Sequence, residues 1–371
     1  MNELPLHRVL ENLKKRIADL PLGDPQFKDR RYHPKPLNPH YVHPIEMYDT
    51  PQTICYLDGG NTAIARAPNF IVELTRLYYS KFRRKKKLLG HLPPRIEFYT
   101  VCCAAAEQEE IIYQTEFIPV NPEWTRFLPN PSDLRFHSFD TTLMIGRMRA
   151  VIDRVADSAR LFAEWSYARH LIAEELDAND LFVKDGTLQT SVTNEARYAD
   201  SVYDVAQQHG VIFTGLAKTS RLFTTTGHPL FSAIKRVADS TEHTAKAWYY
   251  HPIADITHPD HRAEMFAVRL QRNSEYVFRF EILRDQFRQM SQDEVASVIS
   301  ALAQNAVDLS FPGYPYGLIE ADKLARVTGR ERDALEVQFR SVAASTGLWS
   351  FLNNHLKCIN AHSLLDNLAR G

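Results

Sequence analysis

Apolar residues recur along this chain at two different spacings, and the changes between them mark out its elements. Leu6, Val9, Leu10, Leu13, Ile17 and Leu20 fall three or four apart, which predicts one amphipathic helix over residues 1–20. Residues 21–52 lose that period and gather proline and histidine (R-Y-H-P-K-P-L-N-P-H-Y-V-H-P), so they predict an extended arm. Short apolar runs then predict strands at 53–58, about 70–79, 95–103 and 110–118. A proline-rich stretch over 121–142 interrupts the pattern. Helical spacing returns over about 143–177, with Ile152, Val155, Ala159, Phe162 and Tyr167 among its apolar positions, and feeds the strand L-F-V-K-D (181–185).

Beyond that strand, 192–208 predicts a helix and V-I-F-T-G-L-A-K (211–218) a strand. Further strands are expected at 247–256, 263–271 and 276–283. S-Q-D-E (291–294) and T-G-R-E (328–331) both fit a capping box, in which hydroxyl and acid satisfy the free N–H groups of a helix start. Two closing helices follow from them. Strands, then a long helix, then alternation describe an α/β chain, in which residues 1–50 form a helical and extended arm and 51–371 the main domain.

Composition narrows the classes. With 44% hydrophobic and 24% charged residues, the chain has ample material for a large core. A formal net charge of -1 excludes a generally basic, nucleic-acid-like composition but leaves room for a local basic patch. No apolar run approaches the roughly 18 residues that span a bilayer, and the N-terminus lacks the apolar core of a secretory signal, so a cytoplasmic location without membrane contact is expected. Cys55, Cys102, Cys103 and Cys358 show no metal-like spacing and are expected to be reduced, with Cys102 and Cys103 on opposite faces of one strand. His33, His40 and His43 in the arm and His251, His258 and His261 later on lack a helical H-x-x-x-H pair or a cysteine partner, so no zinc site is expected. There is no P-loop motif; ATP hydrolysis coupled to this chain would belong to another protein.

The candidate chemistry lies in the order of the acidic residues. Asp58 closes the strand T-I-C-Y-L-D before G-G, and Asp185 closes L-F-V-K-D before another glycine. Each Asp-Gly step also fits a plain turn. If the two strands lie side by side and parallel, however, both carboxylates reach the same sheet edge. The helix between them could lay Glu164 over that edge, and a late helix carries Asp322. Clustered carboxylates repel unless cations offset them, and Mg²⁺ or Mn²⁺, hard ions that prefer oxygen, suit such a set. Two ions would serve an in-line phosphoryl displacement.

These residues bring the chain close to a known family. L-D-G-G, F-A-E-W ahead of V-K-D-G-T-L-Q, then G-L-A-K-T-S-R (215–221) and G-Y-P-Y-G-L-I-E-A-D (313–322) run in the order found in the NurA nucleases of archaea and bacteria, which the chain resembles from about residue 50 to about 330. The resemblance implies an RNase H-like mixed sheet flanked by helices, a Mn²⁺-dependent exo- or endonuclease activity on DNA, and a homodimer. It also implies a hexameric HerA-type ATPase as partner in DNA end resection. On this likeness Asp58, Glu164, Asp185 and Asp322 would be metal ligands, and the tyrosine of the family's late motif falls on Tyr314. Many members have histidine where this chain has Asp322.

Basic and aromatic residues supply candidate DNA contacts. Lys218, Ser220 and Arg221 follow a strand, and lysine and arginine make most backbone contacts to nucleic acid. R-R-K-K-K (Arg83, Arg84, Lys85, Lys86, Lys87) is the densest positive run, although such runs are often solvated hairpin tips. Tyr314 and Tyr316 could stack on a base or simply fill a core. Two other classes stay open: a catalytically silent module that bridges DNA and a motor, and a metal-dependent phosphohydrolase of small nucleotides.

Overall fold

The computed structural model describes residues 5–17 and 20–356. The chain opens with α1 (Pro5–Ile17) and three short strands, β1 (Pro25–Gln26), β2 (Tyr32–Pro34) and β3 (Val42–Pro44). Long strands follow: β4 (Thr53–Ala67), β5 (Phe70–Arg83), the short β6 (Lys86–Leu88), β7 (Arg95–Glu107) and β8 (Glu110–Pro119). Next come β9 (Phe136–His137), α2 (Ile152–Glu175), β10 (Leu181–Asp185), α3 (Glu195–His209), β11 (Ile212–Ala217) and β12 (Phe223–Thr224). Then α4 (Leu230–Asp239) precedes β13 (Trp248–Tyr250), β14 (Ala254–Ile256), β15 (Ala263–Arg269) and β16 (Phe278–Leu283). The chain closes with α5 (Arg284–Phe287), α6 (Gln292–Gln304), α7 (Tyr316–Ala325), α8 (Gly329–Ser345) and α9 (Trp349–Leu356).

Contacts divide the chain into two compact units. The larger holds Gln52–Val183, Thr190–Phe213 and the chain from Gly317 on. Its sheet runs in the order β10-β4-β5-β7-β8-β9, so the two strands expected to carry the acidic pair are indeed neighbours. The first six residues of β4 are all buried, as are Leu181, Phe182 and Val183 of β10, which is why neither shows the alternation of a half-exposed strand. On β4 the covering includes α2, whose contacts run to β4, β5, β7 and β8. Gly146, at φ +64, and a tight bridge between Ile145 and Met148 turn the chain before α2, so the helix begins at Ile152 rather than near 143. At the centre, Trp165 stacks on Phe213 (centroids 5.9 Å apart) and Phe213 on Phe182 (5.2 Å). The Trp165 indole donates to Glu195 Oε1 at 3.0 Å, and Glu195 Oε2 accepts from the Ser191 N–H at 2.7 Å.

Asp58 does not end its strand. The β4–β5 ladder runs unbroken through Asp58↔Tyr78, Gly59↔Leu77 and Gly60↔Arg76 and on to Ala67↔Phe70, with one irregularity near Ala63. The two glycines serve close approach, not a turn. A Cβ at Gly59 would lie 2.6 Å from Glu164 Oε1, and one at Gly60 2.5 Å from the Ala325 carbonyl oxygen. Asp185 does end β10, and Gly186 turns the chain at φ +102, a region that favours glycine. In the larger unit, a Cβ on Gly317 of α7 would overlap the ring of the fully buried Tyr56. Gly317→Ala is therefore expected to lower stability by about 1–3 kcal/mol, readable as a reduced urea midpoint at unchanged m.

The smaller unit comprises the chain up to Pro51, Lys184–Gln189 and Thr214–Tyr316. Its sheet order is β3-β13-β15-β16-β11-β10. The arm expected to be extended is so, and β1, β2 and β3 pair antiparallel with β12, β14 and β13. The predicted strand 247–256 is two, because Pro252 has no N–H to continue a ladder. The capping box of α6 forms in full at Ser291 and Glu294. The second, at Thr328 in the larger unit, forms by half: Thr328 accepts from the Glu331 N–H, while the Glu331 carboxylate is taken by Arg76 at 2.5 Å.

Of the helix predicted over 1–20, Pro5–Ile17 is seen, with Leu6, Val9, Leu10, Leu13 and Ile17 all exposed; residues 1–4 and 18–19 lie outside the described residues. Cys102 is buried and Cys103 exposed, as the alternation of a strand requires; both are free, as is Cys55, and Cys358 lies outside the described residues. Among the described residues, no helix is long and apolar enough to cross a membrane.

One buried acid makes a pH prediction. Glu73 on β5 is 4% exposed and accepts from Asn61 at 2.6 Å. Burial pushes its carboxyl up to about 7 against the Asn61 hydrogen bond, with Asp157 adding repulsion. The folded chain then holds a proton that the unfolded chain has lost between about pH 4.5 and 7, so stability falls as pH rises through that window. Glu73→Gln should raise the melting temperature at pH 8, by removing a cost of a few kcal/mol at most, and leave it nearly unchanged at pH 5.

Candidate metal centre

In the larger unit, Asp58 is buried in mid-strand, and its Oδ1 accepts the Gly59 N–H at 2.8 Å. Glu164, one turn after Arg160 on α2, is 5% exposed and lies against Gly59. Arg160 Nη1 donates to Glu164 Oε1 and, at 3.2 Å, to the Gly59 carbonyl. The Arg160 guanidinium is held above its ordinary pKa first by the charge of Glu164 and then, against the cost of burial, by that of Asp58. A fixed cation therefore faces two of the predicted acids. On α7, Asp322 is about one-third exposed and pairs with Arg326, four residues on, at 2.8 Å.

In the smaller unit, two other sequence candidates, Lys218 and Tyr314, contact Asp185, the last residue of β10. Lys218 Nζ lies 2.6 Å from Asp185 Oδ2, and the Tyr314 hydroxyl donates to Asp185 Oδ1 at 3.5 Å. Lys218 Nζ also sits 5.8 Å from the centre of the Tyr314 ring. Tyr314 is buried and stacked on Phe311 (5.1 Å), so it fills a core and presents its hydroxyl to Asp185 at once.

Among the described residues, one group of three could hold a metal ion. Asp58, Asp185 and Asp322 each offer a carboxylate oxygen, and the three oxygens lie within 4.8 Å of one another. Like charges at this spacing are costly without a cation. The donors are all oxygen, the set that suits Mg²⁺ or Mn²⁺. Glu164 lies outside this group and is engaged by Arg160.

The other sequence candidates are placed as follows. The run 83–87 forms the exposed hairpin between β5 and β6, with Arg84 at φ +56. Arg83 Nη2 donates to Thr53 Oγ1 at 3.0 Å and Lys87 pairs with Glu320 at 2.5 Å, while Arg84, Lys85 and Lys86 are exposed. Arg221 is exposed in the loop after β11. Arg160 is the residue the sequence reading passes over, although its i,i+4 spacing to Glu164 in R-L-F-A-E is the signal of a helical ion pair.

Fold and carboxylates together define a class: a mixed α/β, RNase H-like protein with a large sheet flanked by helices. The NurA domain matches residues 52–327, most of the sequence, and the chain belongs to the NurA family. The crystal structure of the NurA nuclease from Sulfolobus solfataricus superposes with a TM-score of 0.51 at 13% identity, covering 92% of this chain and 94% of that one. A second NurA crystal structure gives 0.41 at 8% identity over 86% of this chain and 92% of that one. Endonuclease V from Ciona intestinalis, solved with a 24mer DNA, gives 0.36 at 11% identity over 74% and 84%. No curated protein matches the chain.

Proposed function

We propose that the protein is a metal-dependent nuclease that hydrolyses DNA phosphodiester bonds. The observation that carries this reading is the group of three carboxylates, Asp58, Asp185 and Asp322, within 4.8 Å of one another. They would hold Mn²⁺ or Mg²⁺, with Glu164 near enough to Gly59 to join a second position if Arg160 releases it. Such an ion, when bound, would supply an activated water and offset charge on the phosphate. The chain's own residues do the rest. Lys218, already at Asp185, would take a phosphate oxygen, and the Tyr314 hydroxyl would keep the Asp185 carboxylate turned toward the site.

Family membership supports DNA as substrate, and a role with a HerA-type ATPase in end resection at double-strand breaks in the cytoplasm belongs to the same proposal. So does a homodimer. The exposed apolar row of α1 supports the arm as the element that meets a partner. Arg83 to Lys87 and Arg221, exposed and basic, would contact the DNA backbone.

The test is cutting of end-labelled linear DNA in Mn²⁺, Mg²⁺ or EDTA, beside hydrolysis of a mononucleotide. Metal-dependent loss of full-length DNA, abolished by EDTA, is expected. Turnover of the mononucleotide alone would replace the reading with a phosphohydrolase. Silence with both, also in the presence of the ATPase, would leave a binding module.

A further inference from the structure

A buried charged network lies under the loop that follows Asp185. Glu281 on β16 is 1% exposed and His261 is fully buried. Glu281 Oε1 accepts from Arg279 Nε at 2.6 Å and lies 3.0 Å from His261 Nε2. The other ring nitrogen of His261 is 2.9 Å from the Tyr32 hydroxyl, on β2 of the arm. Glu281 Oε2 accepts the backbone N–H of Leu188 at 2.7 Å.

The strand register explains how a side chain reaches that loop. Glu281 pairs with Gly215 of β11. A Cβ at 215 would come to 2.7 Å from the Gly186 carbonyl oxygen and 3.1 Å from the Leu188 side chain. The loop therefore lies on bare backbone at Gly215, and the carboxylate beside it reaches the Leu188 N–H. Buried charges are costly, and burial by itself would raise the Glu281 carboxyl. Arg279 and then His261 outweigh that effect and bring it down to about 2. An ion pair this deep adds little stability for what it costs, and its best-attested use is to fix one arrangement.

We propose that Glu281 is a positioning residue: through the Leu188 N–H it fixes residues 186–188, and with them the direction of the Asp185 carboxylate. Arg279 and His261 hold Glu281 charged and in place, and Tyr32 ties the arm to the same network. This rests on the reading of Asp185 as a ligand of the ion. Sites of this kind need their ligands held within about 0.5 Å, which a loop reaches only when its backbone is anchored.

Two measurements decide it. The first is Mn²⁺ affinity, read from the free-ion paramagnetic resonance signal, in wild type, Glu281→Gln and Asp185→Asn. Glu281→Gln keeps the shape and loses the charge. It is expected to bind Mn²⁺ about 10-fold or more weakly, in the range seen when a partner behind a metal ligand is lost. Equal affinity in wild type and a folded Glu281→Gln would overturn the role. A wild type that binds no Mn²⁺ would instead overturn the metal reading on which it rests. The second is amide exchange at Leu188 in the wild-type protein, which does not depend on any variant folding. Strong protection, with or without Mn²⁺, is expected; exchange at the rate of an open loop would show that Glu281 anchors nothing.

Discussion

Asp58→Asn and Asp185→Asn are each expected to lower metal-dependent DNA cutting by more than about 100-fold, with circular dichroism unchanged. A loss of 10–100-fold is typical when only a partner behind a ligand is removed, so losing the ligand itself should exceed it. Both substitutions keep the side-chain shape. Asp58 accepts from its neighbour's N–H, and Asp185 is held by Lys218 and Tyr314, so neither change opens a cavity. A negative charge is removed from the group of three, and cation affinity falls with it. Asp322→Asn should cost less, because Asp322 is the most exposed of the three and already shares its carboxylate with Arg326. Near-normal cutting by either Asp58→Asn or Asp185→Asn would remove that residue from the site.

The largest effect on stability is expected from Trp165→Ala, about 3–5 kcal/mol by urea denaturation. Trp165 is 1% exposed and packs on Phe213 and Tyr203, each 5.9 Å away. Truncation leaves a large void that these rings cannot fill without leaving their own partners. It also removes the donor to Glu195 Oε1, although Glu195 Oε2 keeps the Ser191 and Val192 N–H groups. Trp165→Phe, which keeps most of the ring, should lose markedly less. A loss below about 1 kcal/mol for the alanine variant would mean that this part of the core repacks.

The long strands and α2 were legible because burial on one or more faces imposes runs and periods that survive in the sequence. Asp185 was legible too, since a charge followed by glycine at the end of an apolar run is a turn signal, and Gly186 does turn. Asp58 shows where local reading stops. L-D-G-G looks like a strand end, yet the glycines lie inside a ladder because Glu164 and Ala325, more than a hundred and more than two hundred and fifty residues away, approach too closely for a side chain. No window of sequence contains that fact. The helix α4 is not among the predicted elements, although Leu230, Ile234 and Val237 recur at helical spacing; the flanking T-T-T-G-H-P disguises it as loop.

The acidic residues could be named from their order along the chain, whereas their grouping could not. Spacing says nothing of which carboxylate a neighbouring cation will engage. Glu164 and Asp58 have the same charge, yet Glu164 is paired with Arg160 and Asp58 stands with Asp185 and Asp322. The Arg160–Glu164 pair was within reach of a helical reading. The Lys218–Asp185 pair, across more than thirty residues, was not.

Direct counting of bound Mn²⁺ by electron paramagnetic resonance, in wild type and in Asp58→Asn, tests the central claim most directly. Saturable binding by wild type, lost or weakened at least about tenfold in Asp58→Asn, is the predicted result. Identical binding curves for the two proteins, or no binding by wild type, would contradict it.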